Sequence, residues 1–224
     1  MNNQNTIFTV NLLAVACLIF SPIAQAKQPS EDRGNNNSAA ENVSALNLGT
    51  TGVFNTAHGW FSLFSNTSGS SNTADGFEAL LSNTTGTNNT ATGFGALFSN
   101  TTGIENTATG SQALNQNSEG NSNTAVGRSA LFSNTTGDDN TAIGFRALVN
   151  NTTGSFNTAI GDGALTNSTG RDNTALGQGA GSAITTGSGN VYIGTFVTGL
   201  SGDETNTTRI RNIGLTRLSA AYLL

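Results

Sequence analysis

The stretch NTATGFGALFSNTTGIE at residues 89–105 runs straight into NTATGSQALNQNSEGNS at 106–122 and NTAVGRSALFSNTTGDD at 123–139. Three blocks of equal length, each opening Asn-Thr-Ala-x-Gly, decide how the chain is to be read. The same phrase starts at Asn55, Asn72, Asn89, Asn106, Asn123, Asn140, Asn157 and Asn173, with a spacing of 17 residues everywhere except the 16 between Asn157 and Asn173. A half unit precedes them at residues 45–54, and a degenerate ninth begins at Asn190 with NVYIG. The consensus is NTAxGxxALxSNTTGxx. Self-similarity at a fixed period is the signature of a solenoid, in which each unit buries its core against its neighbours.

Each unit carries a glycine at position 5 and another near position 15, for example Gly93 and Gly103. Asn-Thr-Thr-Gly is turn chemistry, because Gly and Asn tolerate positive φ. Two turns leave two segments of roughly five residues, a strand length too short for a stable helix. The pattern predicts one β coil per unit with two strands, stacked about 4.8 Å apart into a rod of about eight coils. The expected fold is all-β, a parallel β-roll or β-solenoid.

Facing follows from strand parity. Position 3 is always Ala, from Ala57 to Ala175, whereas position 4 reads His58, Asp75, Thr92, Thr109, Val126, Ile143, Ile160, Leu176. An unpaired Asp75 or His58 inside would be costly. Position 3 is therefore expected inside and position 4 outside. Leu at position 9 is assigned inward, which puts positions 6, 8 and 10 outside. The opposite facing, aromatics in and Leu out, stays open on parity alone. Positions 6 and 10 then form one apolar stripe, with Trp60, Phe64, Phe77, Leu81, Phe94, Phe98, Phe132, Phe145 and Val149 as candidate oligomer-interface residues. A ladder of exposed aromatics is more than a lone chain leaves in water, and closed cyclic packing of several chains would cover it. Rows of Asn and Thr in register are expected to hydrogen-bond along the stack.

Outside the repeats the chain reads differently. Residues 1–26 carry no charged side chain, contain an apolar run at 12–20 and end in Ala24-Gln25-Ala26, which reads as a secretory signal peptide. The apolar run is too short to span a membrane, and Ala14 stands where a lipoprotein site built on Cys17 would prefer Leu. Cleavage leaves no cysteine and no transmembrane anchor in the mature chain. Residues 27–44 are polar and turn-rich, a flexible linker; 45–194 form the repeat domain; 195–224 are a C-terminal cap or truncated neck. The net charge of −5 and the lack of Lys/Arg clusters argue against nucleic-acid binding.

The units at 89–105 and 140–156 resemble the head repeats of trimeric autotransporter adhesins (YadA-like heads), sharing an Asn-x-Ala-x-Gly strand, an Ala-containing second segment and a Gly turn. The resemblance covers roughly residues 45–194. It implies a left-handed parallel β-roll, a homotrimer, and a surface adhesin role. GNVYIG at 189–194 with TRIRNIG at 208–214 is similar to the segment before a C-terminal chaperone domain in tail-fibre-like proteins. Two departures are expected to matter: residues 215–224 are not expected to supply a stalk or an anchor barrel, and the family's best-known heads have a shorter coil.

Residues for catalysis are sparse. His58 is the only histidine and stands at a variable position, so it reads as a solvated surface group rather than an oriented base. No zinc-type Cys/His cluster and no GGxGxD calcium repeat occurs, and Gly177 to Gly181 reads as repeat decay rather than a phosphate loop. No cofactor is expected. Sequons such as Asn83-Thr84-Thr85 recur because the turn recurs. The expectation is a non-enzymatic, secreted or cell-surface adhesin-like protein that contacts itself and host or matrix surfaces. A ligand-free fibre spacer is the alternative, and an ice-binding solenoid a weaker one, since the paired threonines of each turn are adjacent and cannot share a strand face.

Overall fold

A computed structural model describes residues 31–32, 36–40, 45–47 and 49–211; the stretch 1–26, read from sequence as a signal peptide, lies outside them. The strands are β1 Glu31–Asp32, β2 Ser38–Ala40, β3 Thr56–His58, β4 Thr73–Asp75, β5 Thr90–Thr92, β6 Thr107–Thr109, β7 Thr124–Val126, β8 Thr141–Ile143, β9 Thr158–Ile160, β10 Thr174–Leu176, β11 Val191–Ile193 and β12 Thr208–Ile210. They form one sheet in chain order. β1 pairs antiparallel with β2, and from β2 to β12 every pairing is parallel. Register is unshifted: Thr lies over Thr and Ala over Ala, as in Thr90↔Thr107 and Ala91↔Ala108. The molecule is a β-solenoid of about ten turns.

The parallel ladder outruns residues 45–194 at both ends. Asn37-Ser38-Ala39-Ala40 occupies the first four positions of a coil inside the stretch read as linker, with the Asn37 amide donating to Gly52 O at 2.7 Å and its Oδ1 accepting Asn55 N–H at 2.8 Å. At the other end β12 pairs with β11.

Only one strand forms per coil, not two. Positions 7 and 9 adopt the left-handed region instead, as at Glu78 (φ 59°), Leu80 (φ 51°), Gln112 (φ 60°) and Leu114 (φ 49°). Inter-coil bonds persist, with Leu80 N–H donating to Ala96 O and Leu97 N–H to Ala113 O, both at 3.0 Å. Strand parity fails in this kinked segment. Leu at position 9 is buried as expected, but Ala at position 8 is buried beside it rather than facing out; Ala96 and Leu97 are both fully covered. The core is thus two alanines and a leucine per coil, and the facing with aromatics inside is excluded, because Trp60, Phe77 and Phe94 are exposed.

Two buried amide columns flank that core. The Asn106 Nδ2 donates to Gly120 O at 2.8 Å and to Asn89 Oδ1 at 3.2 Å, and its Oδ1 accepts the backbone N–H and the Nδ2 of Asn123. In the second column Asn117 Nδ2 donates to Gly120 O and to Asn100 Oδ1, both at 2.9 Å. One glycine carbonyl therefore receives both amides and closes the coil. A Cβ at Gly103 would come within 2.5 Å of Gly120 O. Gly93 has φ +128°, and a Cβ there would meet the Gly110 carbonyl at 2.8 Å. These backbone approaches explain the two glycine columns.

The C-terminal coils exchange volume. Gly181 replaces the core leucine and Tyr192 the core alanine; a Cβ at Gly181 would lie 2.7 Å from Leu165 Cδ2 and 2.9 Å from Tyr192 Cδ2. The buried Tyr192 hydroxyl donates to Glu204 Oε1 at 2.6 Å, and Arg209 donates from Nε and Nη2 to the same carboxylate at 3.0 Å. What reads as repeat decay is a plug that closes the core.

Candidate interaction surfaces

The coil cross-section presents three outer faces. Positions 2 and 4 form the strand face, positions 6, 7 and 10 an aromatic edge, and positions 13, 14 and 16 the turn face.

On the aromatic edge, Trp60, Phe64, Phe77, Phe94 and Phe145 are 42–53% exposed. Leu81, Phe98 and Phe132 are half-buried, and Val149 is covered by its own chain at 6% exposure. Eight of the nine candidate interface residues thus reach the surface, and Val149 does not. Phe61, at position 7, joins them: its ring meets Phe64 at 5.6 Å, Phe77 at 6.2 Å and Trp60 at 6.4 Å, all edge-on. Phe77 and Phe94 stack 5.7 Å apart and nearly parallel. Further along, the Arg128 guanidinium lies 5.8 Å from the Phe145 ring centre. Positions 6 of successive coils therefore touch. Because Phe77 and Phe94 cover each other's faces, the edge offers ring rims and aliphatic surface to a partner.

The strand face points outward, as parity at positions 3 and 4 predicts. Down position 4 the N-terminal residues are polar, then Val126, Ile143, Ile160 and Leu176 follow, each exposed, with Ile210 exposed beyond. Reading that column vertically is the signal that would have found this second apolar row. Position 2 is Thr from β3 to β10.

On the turn face the position-13 hydroxyls are spent on the neighbouring coil: Thr84 Oγ1 donates to Thr101 O at 3.0 Å and Thr101 Oγ1 to Ser118 O at 2.9 Å. The sequon asparagines Asn66, Asn83, Asn100, Asn134 and Asn151 are fully buried, so no glycan fits on them in the folded chain. Asn167, in Asn-Ser-Thr, is exposed.

Charge is placed at the ends and corners. His58 and Asp75 are register partners on the strand face, both exposed. Arg171 and Asp172 pair at 2.8 Å in solvent, which contributes little. Among the described residues no group of three or more His, Cys, Asp or Glu is placed to hold a metal ion. Glu204 is held at about 2, well below its ordinary 4.5, chiefly by the Arg209 guanidinium. Burial, then the Glu204 hydrogen bond, pushes the Tyr192 phenol upward. Among the described residues no helix is long and apolar enough to cross a membrane. Comparison with family models, curated proteins and solved structures finds no match.

Proposed function

We propose that this chain is a non-catalytic, adhesin-like head protein, secreted or held at a cell surface, that self-associates as a trimer through its aromatic edge and attaches through repeated contacts on its remaining faces. The observation that carries this reading is the row of ring-to-ring contacts from Trp60 to Phe94, left at about half exposure along three successive coils. Burying such rims against copies of the same chain removes apolar surface from water at about 25 cal/mol per Å². A cyclic arrangement covers the edge on every copy. Attachment would then draw on many identical weak contacts, which a stack of equivalent coils supplies. The resemblance to autotransporter adhesin heads supports the same reading.

The buried polar groups support a non-catalytic role. The asparagines that dominate the interior are committed to bonds between coils, and His58 stands exposed on a strand whose equivalents are Asp, Thr and Val. The test is sedimentation of the full chain and of the double variant Phe77→Asp/Phe94→Asp. The wild type should run as a trimer and the variant as a folded monomer. A monomeric wild type at micromolar concentration ends the oligomeric part. Failure of labelled protein to bind cells or matrix reduces the function to that of a fibre spacer.

A further inference from the structure

The strand face is one of the faces to which that reading gives no specific ligand, and its chemistry is distinctive. In β5 and β6 the buried alanine lies between two outward threonines, Thr90 with Thr92 and Thr107 with Thr109. These alternate along the strand, so they share one face, unlike the adjacent threonines of the turns. From β7 to β9 the outward pairs continue as Thr with Val126, Ile143 and Ile160.

Three further observations bear on what such a face can hold. The register is unshifted, so the rows run straight, with repeats of about 4.8 Å between coils and about 6.7 Å within a strand. Second, the hydroxyls are unspent. The first threonine of each turn bonds the next coil, whereas Thr90, Thr92, Thr107 and Thr109 make no side-chain hydrogen bond to any described residue; the second turn threonines, such as Thr102 and Thr136, are also unspent but stand singly, one per coil, rather than in pairs on a strand. Third, neither row carries a charge from β5 to β10, although the chain has a net charge of −5. A charged partner has nothing to pair with there, so charge matching selects a neutral one. The strands are also held stiffly, with a buried asparagine before each and the glycine approach after it.

We infer that this face binds the surface of ice. The inter-coil repeat lies close to the shorter oxygen-to-oxygen repeat on the prism plane of hexagonal ice, and the within-strand repeat falls somewhat short of the longer one, a gap that side-chain rotation must make up over a single pair. Free hydroxyls can donate to and accept from lattice water, and the threonine, valine and isoleucine methyls order the water between them. A rigid, neutral, two-dimensional array holds such water at little entropic cost, since the side chains are β-branched and have few rotamers to lose.

The test is growth of a single ice crystal in a solution of the full chain, with the fold followed by far-ultraviolet circular dichroism. The wild type should open a gap between melting and freezing temperatures and facet the crystal. Thr107→Tyr/Thr141→Tyr, which breaks the flat rows with strand-forming residues, should lose that gap. Thr102→Tyr/Thr136→Tyr, on the exposed turn face of the coils just before those two, should keep it. A wild type without any gap overturns the inference whatever the variants do. So does equal loss in both variants, or a fall in sedimentation mass confined to the strand-face variant, which would mean that a second copy covers this face. Failure here leaves the aromatic-edge measurement untouched.

Discussion

At the scale of single residues, the fold depends on asparagine as much as on leucine. From Asn72 to Asn140 each interior amide of the first column bridges three coils, and each side-chain oxygen accepts two bonds from the next. Asn106→Ala would strand the donors of Asn123 and one lone pair of Gly120 in a dry interior. Unmade buried bonds cost about 1–3 kcal/mol each, so the loss should reach about 3 kcal/mol, measured as a lower urea midpoint. Asn106→Asp should cost more at neutral pH, because it turns two donors into an acceptor facing Asn89 Oδ1 and Gly120 O. The second column already shows how such a chain of bonds ends. Ser168 is too short to reach it, and Asn151 Oδ1 is left without a partner. Glu204 gives a pH dependence of known sign. Its folded value is depressed to about 2 from 4.5, so its contribution is present above pH 4.5 and lost as pH falls toward 2. Thermal midpoints of the full chain should therefore fall across that window, and Glu204→Gln should flatten part of the fall while lowering the midpoint at neutral pH.

At the scale of the coil, the period and the first segment were legible, and the second segment was not. Invariant Ala beside variable position 4 fixes an in-out alternation that holds wherever the backbone is a strand. At positions 6 to 10 the spacing predicts a second strand. Leu80 and Leu97 instead take positive φ, which places neighbouring residues on the same side and buries Ala96 with Leu97. Nothing in the residue types announces this, because leucine does not favour that region and adopts it under pressure from the stacked neighbours above and below. The exposed stripe was legible because an inward Leu at position 9 puts positions 6 and 10 outside, while Val149 shows the limit of that inference: a small side chain at position 10 is covered by its own coil. Asn37-Ser38-Ala39 could have been found by its Asn-x-Ala phrase, but its 18-residue distance to Asn55 breaks the period. Because coils are equivalent, removing residues 106–122 should leave the register intact. That deletion should give a folded protein with a urea slope lower by roughly a tenth, one coil among about ten. Removing residues 106–113 leaves residues 114–122 unable to close a coil, so the columns break between Asn89 and Asn123, and the urea midpoint should fall further than for removal of the whole unit. The one-residue-shorter unit between Asn157 and Asn173 shows that the turn, not the strand, absorbs a change in length.

At the scale of the whole molecule, the outer faces differ along the rod as well as around it. Aromatics concentrate in the N-terminal coils, aliphatics occupy position 4 from β7 onward, and the core ends in a polar plug at Tyr192, Glu204 and Arg209. Self-association through the aromatic edge should therefore be strongest near the N-terminal end, and one residue can report it. Trp60 is the only tryptophan, it is 53% exposed, and its ring meets Phe61 within the proposed contact. If copies close over this edge, Trp60 leaves water on association. Its emission maximum should move to shorter wavelength and its quenching by iodide should fall as protein concentration crosses the association range. Phe94→Asp, two coils away and outside direct contact with Trp60, should hold the emission at its dilute-solution value at all concentrations while the circular dichroism stays that of the stacked coils. An emission maximum that does not change with concentration, in a chain whose sedimentation mass nonetheless rises, would move the contact off this edge and onto the aliphatic row of the strand face.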